Sequence, residues 1–117
     1  MAFMDKEAPV LTQVRRPKRV RAKHKEATTT RGWRKAAPKT RKEREALYKR
    51  CGAEAFLEPN AANPRLSKFP VMAKRGACVV DCRALRAALS RAARYKYQDA
   101  YRKADRLAKH ARCRWAV

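Results

Sequence analysis

Glycine occurs only three times and histidine twice in 117 residues, and acidic side chains number ten. Three glycines leave little material for a Gly-rich loop that could cradle a phosphate. His24 and His110 have no acid or nucleophile at a spacing that marks a catalytic site, and no paired carboxylates stand out. The sequence therefore predicts a non-enzymatic chain with no cofactor and no small-molecule substrate. No stretch approaches the roughly 20 apolar residues needed to cross a bilayer, and the N-terminus lacks the apolar core of a secretory signal. The expectation is a chain that neither spans a membrane nor is secreted. Asp5, Glu7 and Glu26 argue against an organelle transit peptide, which is poor in acids.

What the chain has in excess is positive charge. Thirty-two Lys and Arg against ten Asp and Glu give +22 at pH 7 and a pI near 11.0. Such a charge repels itself unless a polyanion or an acidic protein surface meets it, and nucleic acid is the commonest polyanion. At this length the chain is one domain at most.

Residues 1–39 hold twelve Lys and Arg, three acids and three prolines, with few large apolar side chains. Within them, Arg15, Arg16, Lys18, Arg19, Arg21, Lys23 and Lys25 make a basic run that buries too little surface to fold alone. It reads as an extended arm that binds a polyanion or threads between proteins; a nuclear-localisation signal has the same look.

Folding signals start at Thr40, so the division expected is a basic arm over 1–39 and a small helical, cysteine-containing domain over 40–117. Thr40 and Glu43 form a capping box for a helix over about 41–51, and Gly52 suits its C-terminus. Pro59, Pro64 and Pro70 then exclude a long helix and give an irregular connector, anchored by Phe56, Leu57, Leu66, Phe69 and Val71. Val79 and Val80 allow a short strand. Asp81 caps a second helix over about 82–94, whose stripe is Leu85, Ala88, Leu89, Ala92 and Ala93. Asp99 is a plausible cap for a third helix over about 99–112, with Ala100, Ala104, Leu107, Ala108 and Ala111 on one face. The fold class expected is mainly α, with about three short helices and a helical hairpin at the C-terminus. Alanine faces permit close approach but bury little area, and at about 25 cal/mol per Å² such a core is marginal without a staple or a partner.

Cys51, Cys78, Cys82 and Cys113 are the staple candidates. Four thiols can be two disulfides, one four-cysteine zinc site, or unpaired core residues. A single C-x3-C with two distant cysteines is a weak zinc signal, and connectivity is not legible in the spacing. The charge stripes on the last two helices, Arg83, Arg86 and Arg94, then Arg102, Arg106 and Lys109, are the surfaces expected to meet negative charge. They match no base-reading motif, so contact with nucleic acid should be to the backbone and salt-sensitive. Trp33, Tyr95, Tyr97, Tyr101 and Trp115 lie among these cations, where aromatic rings can stack on bases or simply pack.

The order Cys51-Gly52, Phe56-Leu57, Pro59, Phe69-Pro70-Val71, Cys78 to Leu85 (CVVDCRAL), Ala87-Ala88, Arg91-Ala92, Lys103-Ala104, Cys113 and Trp115 resembles a family of small basic virion proteins of nucleocytoplasmic large DNA viruses. The resemblance covers about 50–115. The family pattern carries two more cysteines, at the positions held here by Ala55 and Met72, which argues against a full metal cluster. The resemblance implies a structural component of the virion: a minor capsid protein on the inner face of the shell, with major and minor capsid proteins as partners and double-stranded DNA nearby. Alternatives are a core protein that condenses DNA and a mitochondrial ribosomal protein bound to rRNA.

Overall fold

A computed structural model describes residues 20–116 of the chain. Its elements are short: β1 (Ala22–Lys23), α1 (Trp33–Ala36), α2 (Arg41–Cys51), β2 (Phe56–Glu58), β3 (Lys68–Pro70), β4 (Val80–Asp81), α3 (Cys82–Arg94) and α4 (Gln98–His110). Two single 3₁₀ turns, Ala53–Ala55 and Pro64–Leu66, fill the connector. The class is mainly α, with strands of two or three residues.

Helix α2 begins as its sequence dictates. The Thr40 hydroxyl accepts from the Glu43 amide, and the Glu43 carboxylate reaches back to the Thr40 and Lys39 amides, so the orphan donors of the first turn are satisfied reciprocally. Gly52 ends the helix at φ +83°. Asp81 caps α3 by accepting from the Arg83 amide. By contrast, α4 has Tyr97 at its N-cap and no side-chain cap; Asp99 sits in the first turn instead. Both α3 and α4 end on a cation in the left-handed region, Lys96 at φ +61° and Arg112 at φ +60°. The Tyr97 amide then donates to the Ala92 carbonyl and the Cys113 amide to the Ala108 carbonyl, the six-to-one bonds of a Schellman ending.

The core is one cluster to which every helix and the connector contribute, with Trp33, Leu47, Phe56, Leu57, Phe69, Val71 and Leu85 among its larger side chains. Ala84, Leu85, Ala88 and Ala92 of α3 are buried, as are Ala100, Ala104 and Ala108 of α4. Of the stripes expected from periodicity, Ala93 is exposed and Leu89 and Leu107 are half-buried. Phe56, Leu57, Phe69 and Val71 anchor the connector, whereas Leu66 stays exposed. β2 and β3 pair antiparallel, with Phe56 opposite Pro70. Val80 bridges Met72, and β4 pairs in parallel with β1, Ala22 opposite Val80.

That last pairing moves the expected boundary at residue 40. Residues 20–39 belong to the folded body: Trp33 is buried in the core, and the Arg114 amide donates to the Lys25 carbonyl at 2.8 Å. The physical reason is a pairing distant in sequence. The two residues of β1 gain a ladder partner 58 positions away in β4, together with a buried tryptophan close behind them.

Two disulfides provide the staple: Cys51–Cys78 and Cys82–Cys113, with sequence separations of 27 and 31. The zinc and free-thiol alternatives fall with them, because all four cysteines are consumed. Arg50 reinforces the first bridge by donating to the carbonyls of Ala73, Lys74 and Gly76 in the loop that carries Cys78.

Candidate polyanion-binding groove

The helix stripes expected to meet negative charge are for the most part engaged. Arg83 is turned inward: its Nε donates to Asp81 Oδ1 at 3.0 Å and its Nη2 to Oδ2 at 2.8 Å, and its Nη1 reaches the Arg31 carbonyl. Asp81 is fully buried and also lies 3.2 Å from His24 Nδ1. Burial opposes the charged carboxylate, but hydrogen bonds from the Arg83 side chain and backbone, with the charges of Arg83 and His24, outweigh it and hold the carboxyl below its ordinary range. Arg86 lies over the Trp115 ring at 5.7 Å, and the Trp115 indole donates to the Cys82 carbonyl at 2.9 Å. On α4, Arg102 pairs with Asp99 and Lys109 with Asp105. Arg94 and Arg106 remain exposed with no ion pair among the described residues.

In the basic run, Lys23 lies in β1, Lys25 is tied by its carbonyl, and Arg21 lines an apolar recess with Val20, Phe56, Leu57 and Met72. Arg15, Arg16, Lys18 and Arg19 lie outside the described residues. The aromatics divide: Trp33 is core, Tyr97 sits edge-on against Phe69 at 5.3 Å, and Tyr95 and Tyr101 are exposed.

The cations that do converge come from elsewhere in the chain. On α3, Ala84, Ala87, Ala88 and Arg91 follow at i, i+3, i+4 and i+7, so small alanines make a depression with Arg91 at its end. On α2, Arg41 and Arg44 are three apart and share a face. Between these helices lie two adjoining recesses of about 410 and 640 Å³. Arg44, Arg91, Phe69 and Pro70 line both, which makes them one groove. Arg34 and Lys39 join at one end; Arg41, Arg65, Lys68, Tyr95 and Tyr97 join at the other.

No aspartate or glutamate lines either recess. The two acids of α2 that flank Arg44 are otherwise occupied. The Glu43 carboxylate is folded back onto the Lys39 and Thr40 amides, bonds that, with the Lys74 charge, hold its pKa below the usual value. Glu45 lies 3.4 Å from Arg65. Among the described residues Arg34, Lys39, Arg41, Arg44 and Arg91 form no ion pair. The Arg44 Nε is buried and has no hydrogen-bond partner there, which is a costly condition for a cationic donor. Phe69, on the wall between the recesses, holds φ +58°, a strained conformation for a bulky side chain.

Sequence reading missed this groove. The spacing of Arg41, Arg44 and Arg91 within their helices was available, but their convergence depends on the turn that brings β3 between α2 and α3.

Among the described residues, no group of three or more His, Cys, Asp or Glu side chains is placed to hold a metal ion, and no helix is long and apolar enough to cross a membrane. Comparison with family models, curated proteins and solved structures finds no match to this chain.

Proposed function

We propose that the chain is a non-enzymatic structural protein of a large DNA virus, a minor capsid component that cements the inner face of the shell. In this reading the C-terminal helical hairpin and its staples are the rigid body. The basic arm ahead of Val20, with Arg15, Arg16, Lys18 and Arg19, threads between neighbouring capsid proteins. The acid-free groove turns toward the packaged double-stranded DNA.

The observation that carries the reading is the pair of disulfides on so basic a body. Disulfides persist in oxidising settings, virion surfaces among them, and are rare where glutathione keeps thiols reduced. A small core held by two covalent bridges suits a protein that must keep its shape outside a cell. The same pair weighs against a ribosomal protein working in a reducing compartment.

The test is to open purified particles gently, separate emptied shells from released DNA, and quantify the protein in each fraction at low and high salt. Retention on DNA-free shells at high salt is the expected result. Release with the DNA, or at modest salt, overturns the capsid role in favour of a genome-condensing protein; absence from particles overturns both.

A further inference from the structure

We infer that the groove between α2 and α3 is a binding site for the phosphodiester backbone of double-stranded DNA, with Arg44 and Arg91 as its central contacts. This rests on the reading that the basic surface faces the genome, and it assigns that role to a particular site rather than to the chain's overall charge.

Three features converge on this ligand. The groove is lined by cations from both walls, Arg41 and Arg44 from α2 and Arg91 from α3, with no acid among the lining residues. Its two recesses are contiguous through Arg44 and Arg91, so the positive charge forms a line, as a strand with evenly spaced charges requires. Arg44 lines both recesses and forms no ion pair among the described residues, so a phosphate in the groove meets an uncompensated guanidinium, the cation best shaped to hold it. The exposed Tyr95 at one end adds a neutral hydroxyl of the kind that contacts phosphates. Between the cations the lining is mostly alanine, proline and Phe69, with no Asn, Gln, Asp or Glu to read a base edge, so binding is independent of sequence. An acidic peptide would meet the same cations, but its charges are irregular and its backbone donors would find few acceptors on this floor.

The experiment uses the full oxidised chain and a fluorescently labelled DNA duplex of mixed sequence, titrated at several salt concentrations. The Arg44→Gln/Arg91→Gln double variant is compared with Arg102→Gln/Lys109→Gln, which removes the same charge from α4. Thermal melts and intact disulfides by mass certify each fold; if the first variant does not fold, Arg34→Gln/Lys39→Gln, at exposed positions, replaces it. Each lost phosphate contact should flatten the log K against log salt slope by about 0.9, so the groove variant should lose about 1.8 and at least tenfold in affinity at low salt. The α4 variant should change much less, because its cations already face Asp99 and Asp105. Equal losses in the two variants overturn the site, as does displacement of the duplex by polyglutamate at equal charge concentration. Neither result bears on whether the protein stays with emptied shells, so the two readings fail separately.

Discussion

Asp81 and Arg83, two residues apart at the start of α3, are joined three times: the carboxylate accepts from the Arg83 amide at 2.9 Å, from its Nε at 3.0 Å and from its Nη2 at 2.8 Å. One side chain is thus both helix cap and counter-ion. Gly32 is fitted against this pair, since a Cβ built there would collide with the Arg83 guanidinium. Replacing Asp81 with alanine removes the cap and leaves a mostly buried guanidinium without its partner, at a cost of about 3–5 kcal/mol. Asp81→Asn keeps the cap and should cost less. Urea unfolding of the oxidised protein measures both, and a loss under 1 kcal/mol for the alanine variant would show that the pair contributes little.

The same carboxylate sets an acid limit. Its folded pKa lies below the unfolded one, so the stabilisation is fully present above the unfolded value and is lost as pH falls through the folded value. Thermal melts from pH 6 down to pH 2 should show the midpoint falling below about pH 4, where carboxylates ordinarily protonate. In Asp81→Asn that fall should be shallower. An unchanged acid profile in the variant would remove Asp81 from the account.

Each disulfide closes a loop of moderate length, and loop-closure entropy assigns about 3–4 kcal/mol to either one. Small domains have only about 5–15 kcal/mol in total. Replacing either pair by alanines should lower the melting temperature by well over 10 °C, and full reduction should abolish the cooperative transition. Differential scanning with and without reductant reads this directly.

Lys96 and Arg112 occupy left-handed positions that glycine takes without steric cost. Lys96→Gly and Arg112→Gly should each stabilise the protein, by about 0.5–1 kcal/mol, against the usual effect of glycine at a helix end's interior neighbour. Denaturant midpoints check the sign.

Much of the helical scaffold was legible in the sequence because its signals are local. Thr40 and Glu43 announce α2, Asp81 announces α3, and alanines at helical spacing mark the buried faces. What escaped is long-range. The β1 pairing with β4 joins residues 58 apart and draws Trp33 into the core, and nothing in the basic composition of residues 20–39 signals it. Arg83 lies off the apolar stripe of its helix and so reads as solvent-facing; its partner is the cap two residues earlier, outside the helix that the stripe describes. The groove needed Arg44 and Arg91 to face each other across Phe69 and Pro70, a matter of tertiary placement that periodicity on either helix does not contain.

The bridges take the cysteines in order along the chain, first with second and third with fourth, Cys51 with Cys78 and Cys82 with Cys113, and leave the close pair Cys78 and Cys82 unjoined. The covalent rings are therefore in tandem, neither nested nor crossed, with only Val79, Val80 and Asp81 between them. A cut in the turn around Asn60–Asn63 would open one ring without freeing either fragment, and the other ring would be untouched.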